Sequence, residues 1–206
     1  MKKLLLTTMI ASMLILPFGT VALADDQEAS STPAPVMEYV TGSVPAQNTF
    51  TQAIAPTVHA IVLAMNNQGA SQYTPAESSL TWEALYNLLS MYGQMDDRSE
   101  YLDGLLVVPS EVVSDFACAL MGSPVSPDAI PESLSDRMSY DDDTDSYLLV
   151  CGSDSLSEVQ FKDSDEETVY GSLVYLVDDT PLSSFCVTVE NADNLLGYQI
   201  TALDLA

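Results

Sequence analysis

Short segments that alternate apolar and polar side chains fill the second half of the chain, and only a few turn residues separate one segment from the next. In the longest segment Val169, Leu173 and Tyr175 share one side of an extended chain, a period of two that is typical of strands. The other predicted strands are residues 147–151, 159–161, 185–189 and 198–202. Because parallel neighbours need a crossover of a dozen residues, connections this short favour antiparallel strands. The sequence therefore predicts an antiparallel meander of about five strands over residues 138–206.

The first half of the chain repeats its apolar residues at steps of three and four, which is the spacing of one helix face. Three helices are predicted within residues 48–122, with their apolar stripes at residues 54–65, 82–92 and 112–120. Pro56 either kinks the first helix or marks its first turn. Gly93 and Gly122 are predicted to follow the second and third helices in the left-handed conformation that ends many helices, and Pro109 fits the first position of the third.

The predicted fold class is α+β, with three N-terminal helices packed on the C-terminal meander in a single domain over residues 48–206. This order of elements is compatible with a cystatin-like α+β roll, which is an analogy of fold that assigns no function. Val174 and Leu176 lie on the face opposite Leu173 and Tyr175, so both faces of the sheet carry apolar side chains. We expect one face to pack on the helices. The other face is expected to be partly covered by residues 25–47, by curvature of the sheet, or by a partner.

The first 24 residues have the three-part pattern of a bacterial secretory signal peptide. Lys2 and Lys3 precede an apolar run, and Ala22 and Ala24 supply the small residues of a cleavage site. The alternative, a membrane anchor, needs about 20 apolar residues, which is more than this run contains. Residues 25–47 are acidic and rich in Ser and Pro, which predicts a flexible tether. We therefore expect a secreted, soluble protein, in the periplasm or in the medium.

Removal of this signal leaves Arg98, Arg137 and Lys162 as the only basic residues against 30 acidic ones. Nucleic acids and anionic lipids are bound through Lys and Arg that displace counterions, so both are excluded as partners. An acidic surface favours solubility outside the cell, and it is also suited to a cationic partner. The composition thus limits the partner to an envelope or extracellular protein or peptide, or to a small molecule.

In the acidic hairpin turn before the first predicted strand, Asp141, Asp143 and Asp145 stand at every second position, as at the start of a calcium loop. Asp145 also suits the left-handed backbone of a tight turn. The EF-hand pattern requires Gly at the sixth position and Glu at the twelfth, where this chain has Ser146 and Gly152. We therefore predict no metal site, and at most weak Ca²⁺ binding by the three carboxylates.

No catalytic or cofactor-binding residue is predicted. His59 is the only histidine, and its sequence neighbours offer no polar partner for general-base or metal chemistry, so it is predicted to lie at the edge of the first helix's apolar stripe. A thiolate nucleophile needs a nearby base. Cys118 has acidic neighbours on its helix, whereas Cys151 and Cys186 lie on predicted strands as small core residues. Three cysteines spaced without a C-x₂-C pair do not form a zinc site.

These observations favour a non-catalytic binding domain that acts outside the cytoplasm through an apolar surface ringed by acidic residues. The first alternative is a carrier that holds a small ligand in a sheet-lined pocket. The second is a hydrolase of envelope polymers that uses two carboxylates across a cleft, one with a raised pKa. An aromatic pocket would favour the carrier, and a buried carboxylate pair would favour the enzyme.

Overall fold

The computed structural model describes residues 49–76, 78–152, 155–164 and 168–206. The predicted signal peptide (residues 1–24) and tether (residues 25–47) lie outside the described residues. The helices and strands, in chain order, are α1 (Thr49–Gln68), β1 (Gln72–Tyr73), α2 (Ser78–Tyr92), β2 (Glu100–Leu102), β3 (Leu105–Pro109), α3 (Ser110–Met121), β4 (Met138–Asp141), β5 (Ser146–Leu149), β6 (Ser157–Ser164), β7 (Thr168–Tyr175), β8 (Pro181–Asn191) and β9 (Tyr198–Leu205). This is an α+β fold, as predicted.

The larger sheet has five antiparallel strands in the order β1-β9-β8-β7-β6. Strands β6 to β9 follow one another as a meander, which confirms the antiparallel prediction from the short turns. The register places Val169 opposite Val187 and Gly171 opposite Phe185. The fifth strand, β1, is a two-residue segment between α1 and α2 that pairs with β9.

A second, four-stranded sheet corrects the predicted single meander. Its order is β2-β3-β5-β4, so the strand predicted at residues 147–151 belongs here as β5 and not to the larger sheet. The hairpin of β2 and β3 lies between the second and third helices, where no strand was predicted. Asp103 and Gly104 form its turn with φ angles of 51° and 85°, the combination that tight hairpins require. The Asp-Gly pair was the sequence signal for this hairpin.

Pro56 lies inside α1 and not in its first turn, so the alternative that it marks the first turn is wrong. A proline in a helix interior has no N–H to donate, and its ring crowds the carbonyl of the preceding turn. Tyr198 of β9 contacts α1 on both sides of Pro56. Its hydroxyl lies 2.7 Å from Thr57 Oγ1 and donates to the carbonyl of Ala53 at 3.2 Å. The disturbed turn of α1 is thereby fixed to the larger sheet.

The glycines that were predicted to end α2 and α3 differ in role. Gly122 has a φ of 71° and donates its N–H to the carbonyl of Cys118, as predicted for a left-handed helix end. Gly93 does not adopt a positive φ and instead begins a short 3₁₀ turn. A Cβ at Gly93 would lie 3.4 Å from the Leu106 side chain, an ordinary van der Waals contact, so Gly93 packs on β3 but a tight fit does not explain the glycine. Pro109 is the last residue of β3 and occupies the N-cap position before α3, not the first helical position that the sequence predicted.

The helices pack on one face of the larger sheet, and they also connect it to the smaller one. α1 contacts β6, β7 and β9, α2 packs on α1 and α3, and α3 contacts β9 as well as β3 and β5. The apolar stripes predicted for the helices are buried in this core. It continues through the helix-facing residues of β7 and β8, namely Val169, Leu173, Phe185 and Val187.

None of the described helices is long and apolar enough to cross a membrane.

Candidate functional site

His59 lies in the interior and not at the edge of the apolar stripe, which corrects its predicted position. Its side chain is 4 % exposed. The Nδ1 atom lies 2.7 Å from the hydroxyl of Tyr92 on α2, and Nε2 lies 3.1 Å from the hydroxyl of Ser157 on β6. Ser157 is hydrogen-bonded in turn to Ser155. Because these partners come from distant parts of the chain, the residues beside His59 could not reveal them.

The imidazole of His59 is held in its neutral form. Burial lowers its pKa from 6.5 to about 4, and the negative charge of Glu158 opposes this change only in part. A neutral imidazole has one N–H and one lone pair, so one of the two hydroxyls accepts and the other donates. Burial also raises the pKa of Tyr92, which keeps that hydroxyl protonated. The arrangement joins α1, α2 and β6 with every polar atom of the ring paired.

Ser155 connects this network to a cleft between α1, α2 and the segment that follows β5. The cleft has a volume of about 390 Å³. Its walls combine apolar side chains with amides and hydroxyls: Leu63, Asn67, Tyr86, Asn87, Ser90, Met91, Arg137, Gly152 and Ser155. This lining is suited to a small uncharged ligand with hydrogen-bonding groups. The larger sheet does not line this cleft, in contrast to the sheet-lined pocket expected for a carrier.

Among the described residues that line the cleft, Arg137 is the only basic one, and its charge is already compensated. The guanidinium donates to both carboxylate oxygens of Glu83, at 3.0 and 2.7 Å, and its Cζ lies 4.5 Å from the centroid of the Tyr86 ring. The Tyr86 hydroxyl donates to the carbonyl of Val150 at 2.6 Å. A guanidinium in a two-bond pair with a carboxylate is poorly available to an anionic ligand. Arg137 therefore joins α2 to the smaller sheet.

One end of the larger sheet exposes four large apolar side chains, which we call the apolar end: Leu156, Leu176, Val177 and Leu182. Their exposed fractions are 58 %, 49 %, 71 % and 53 %. Leu156 and Leu176 are neighbours across β6 and β7, because the Leu176 N–H donates to the Leu156 carbonyl at 2.9 Å. Val177 follows in the turn after β7, and Leu182 is the second residue of β8. Exposed apolar residues that lie together mark interaction surfaces more often than scattered ones do.

Leu156 and Leu176 lie one residue outside β6 and β7 and extend their ladder by one pair, which places both side chains on the sheet face that points away from the helices. Ser157 contacts His59 of α1, so its side chain is on the helix side and that of Leu156 is on the other. Leu182 lies at a register shift between β7 and β8, where Leu173 pairs with Ser183 and Val174 with Pro181, so strand alternation does not assign its side chain to a face.

Val174 lies on this same outer face, since it is two residues from Leu176, and it is only 3 % exposed. The second apolar face that the sequence predicted on β7 is therefore present, and Leu176 continues it to the surface.

Acidic residues surround the apolar end. Glu158 is exposed on β6 two residues from Leu156, on the same outer face, and Asp178 and Asp179 follow Val177 in the turn. Hydrogen bonds from the Thr180 side chain and from the Thr180 N–H, the latter at 3.1 Å, lower the pKa of Asp178, so its carboxylate keeps its charge in mildly acidic conditions. The sequence predicted an apolar surface ringed by acidic residues without locating it. These residues fit that description.

The three carboxylates considered for weak Ca²⁺ binding lie in the turn between β4 and β5. Asp141 accepts from the N–H of Asp143 and from the hydroxyl of Thr144, so both of its oxygens are used within the turn. Asp145 has a φ of 50°, as predicted, and accepts from the Tyr140 hydroxyl at 2.6 Å. Among the described residues, no group of three or more His, Cys, Asp or Glu is placed to hold a metal ion.

The cysteines are free thiols, and each is half-buried. Burial raises the pKa of the Cys118 thiol and the negative charge of Asp115 adds to this rise, in the direction predicted from its acidic neighbours. Cys151 packs against the core as predicted, although it follows β5 and is not on a strand. Cys186 is half-buried on β8 and does not belong to the core, which corrects its predicted position.

Comparison with known proteins gives no relative from which a role could be transferred. No family model matches this chain, and neither a curated protein nor a solved structure matches it. The candidate sites therefore depend on their own geometry.

Proposed function

We propose that this protein is a non-catalytic interaction domain that acts outside the cytoplasm and binds a protein or peptide through the apolar end. The observation that carries this proposal is the exposure of Leu156, Leu176 and Leu182 together at one end of the larger sheet. About half or more of each of these three side chains is exposed, so they contribute little to the core of the domain. Burial against a partner would remove this apolar surface from water.

The chemistry around the apolar end defines the partner class. Glu158, Asp178 and Asp179 favour Lys or Arg at the rim of the contact, and the net charge of −25 accelerates the approach of a cationic partner. Apolar contact at the centre with charge pairs at the rim is the common arrangement of protein interfaces. The partner is therefore a basic protein or peptide segment with exposed apolar side chains.

Site-specific crosslinking tests this proposal with a control inside the same sheet. A photoreactive benzoyl-phenylalanine replaces Leu176 in one variant and Leu195 in another. Leu195 is 70 % exposed but lies in the turn between β8 and β9, at the opposite end of the sheet. We expect a discrete crosslinked partner with a basic segment from position 176 and none from position 195. Equal capture at both positions, or capture at neither, would refute the proposal.

Affinity measurement with that partner provides the second half of the test. Leu176→Asp is expected to weaken binding at least about tenfold, because it places a charge in an apolar contact, whereas Leu195→Asp is expected to leave affinity within about twofold.

A carrier of small ligands is the second candidate function, and the cleft beside α1 and α2 is the observation that favours it. Ligands of this site would be uncharged, because Glu83 already pairs with Arg137. Asn87→Leu and Ser90→Leu variants would fill the cleft without touching the apolar end. If such a variant loses a ligand that co-purifies with the protein while partner crosslinking at position 176 is unchanged, the chain has both functions.

We also propose that α1 and the β6–β9 meander form a cystatin-like roll, with α2, the smaller sheet and α3 inserted between them. The packing of α1 across β6, β7 and β9 supports this proposal. An experimental structure in which α1 leaves the meander would contradict it.

A further inference from the structure

Strand β6 is an open edge of the larger sheet. It pairs with β7 on one side, and no other described strand pairs with it on the opposite side. Besides β7, its main packing partner is α1, which lies on a face of the sheet and not beside the edge. Open edges present a row of backbone N–H and C=O groups to any extended chain that approaches.

The hydrogen-bond register identifies which groups of β6 are available. The bond from the Leu176 N–H to the Leu156 carbonyl shows that these opposite residues form a hydrogen-bonded pair. In an antiparallel ladder such pairs recur at every second residue, so Glu158 and Gln160 also direct their backbone groups toward β7. The intervening Ser157 and Val159 must then direct their N–H and C=O groups outward, away from β7.

Features that protect an edge strand from further pairing occur only in the second half of β6, after Phe161. The register shifts between Phe161 and Asp163, and Lys162 lies in this irregularity. Bulges and lysines are the usual means by which proteins prevent unwanted strand pairing. The near half, from Ser157 to Phe161, has regular pairing and no basic residue, and it begins beside the apolar end.

We propose that the near half of β6 binds its partner by strand addition, so that the partner is an extended peptide segment hydrogen-bonded to Ser157 and Val159. This inference rests on the proposed function and names the binding mode of that same surface. The side chains of the added strand alternate between the two faces of the sheet. A basic residue is favoured beside Glu158 on the outer face. Apolar residues are favoured beside Val159, which is partly buried on the helix side.

Two kinds of strand could pair with this edge, a second copy of the chain or a segment of another protein, and charge favours the second. A second copy of the chain would bring another net charge of −25 against the first, with Glu158 of each copy near the shared edge. Like charges on adjacent strands are destabilising. A segment that alternates Lys or Arg with Val, Ile or Leu can form hydrogen bonds with the outward backbone groups of β6. Its apolar side chains can contact the apolar end, and its basic side chains can pair with Glu158.

The test uses the purified full chain and a labelled peptide, Val-Lys-Val-Lys-Val-Lys with blocked ends, in fluorescence anisotropy titrations. A peptide of equal composition in blocks, Val-Val-Val-Lys-Lys-Lys, controls for simple charge attraction. Val159→Pro removes one outward N–H and leaves the bonds to β7 in place, because proline is tolerated on an edge strand where its nitrogen faces outward. Val159→Ala is the matched control, since it shortens the same side chain and keeps the N–H.

We expect the alternating peptide to bind at least about tenfold more tightly than the block peptide, and Val159→Pro to weaken it about tenfold more than Val159→Ala does. Equal binding of the two peptides, equal affinity of the two variants, or no binding of the alternating peptide would overturn strand addition. If Leu176→Asp abolishes binding while Val159→Pro has no effect, the apolar end binds by side-chain contact and only the strand-addition mode fails. A circular dichroism spectrum and urea midpoint near those of the wild type establish that Val159→Pro is folded.

Discussion

The imidazole of His59 on α1 is hydrogen-bonded to the hydroxyl of Ser157 at the start of β6, with 3.1 Å between Nε2 and Oγ. Ser157 is thus attached to the helix layer, while the preceding residue, Leu156 of the apolar end, points to the other face of the sheet. Because Tyr92 pairs with the other ring nitrogen, the imidazole holds β6 against two helices at once. The position of the proposed binding edge therefore depends on a buried side chain that the partner does not touch.

His59→Ala is expected to lower the free energy of unfolding by about 2 to 4 kcal/mol, because it leaves a cavity and removes partners from two buried hydroxyls. Urea denaturation followed by circular dichroism measures this loss. Asn67→Ala, at an exposed position of the same helix, is the control and should change stability by less than about 0.5 kcal/mol. A His59→Ala variant as stable as this control would show that the network contributes little.

The wild type is expected to lose stability as the pH falls from 6.5 to 4, relative to a His59→Gln variant. Since the pKa of His59 is about 4 in the folded chain and 6.5 in the unfolded chain, only the unfolded chain binds a proton in this window. The relative loss should approach roughly 3 kcal/mol at pH 4. Carboxylates titrate in both proteins, so their effect cancels in the comparison. Parallel pH profiles of the two unfolding free energies would contradict the buried neutral imidazole.

Gly171→Ala is expected to destabilise the larger sheet by about 1 to 3 kcal/mol, because the added methyl group has no room. A Cβ at this position would lie 2.5 Å from Cζ of Phe185, which crosses the glycine from the neighbouring strand, and 2.7 Å from the carbonyl oxygen of Gln160. Thermal unfolding measures the change. Gly152→Ala is the matched control, since a Cβ there meets nothing within 4 Å, and it should be close to neutral. Equal melting temperatures for both variants would refute this packing.

Arg137→Ala is expected to cost about 1 to 2 kcal/mol of unfolding free energy, because Glu83 is only 12 % exposed and would lose its cationic partner. Arg137→Lys should recover part of this loss, since lysine keeps the charge but not the two-bond geometry or the stacking on Tyr86. Urea denaturation of Arg137→Ala, Glu83→Gln and the double variant gives the coupling energy of the pair. A coupling energy near zero would mean that the ion pair does not join α2 to the smaller sheet.

The sequence was sufficient for those parts of the fold that depend on local patterns. The helix stripes, the antiparallel pairing of the late strands and the left-handed Gly122 all follow from side-chain period and short-range backbone preference. The hairpin of β2 and β3 was missed even though Asp103 and Gly104 carried its turn signal, because its strands are only three and five residues long. The division into two sheets depends on which strands meet, and strand period alone does not encode this.

The sequence predicted the character of the candidate surface but not its location in the fold. An apolar surface ringed by acidic residues followed from the composition and from the two-sided strand around Val174. Its position required the contact of Ser157 with α1, which fixes the direction in which Leu156 points. The burial of His59 was missed for the same reason, since Tyr92 and Ser157 are 33 and 98 residues away in sequence.

Amide hydrogen exchange with and without the alternating Val-Lys peptide tests the central claim most directly. If the apolar end is the binding surface, added protection will be confined to residues 156–161 and 174–184, and the turn around Leu195 will be unchanged. Protection concentrated instead on α1, α2 and Arg137 would place the ligand in the cleft. That result, or no added protection anywhere at saturating peptide, would contradict the interaction surface proposed for this protein.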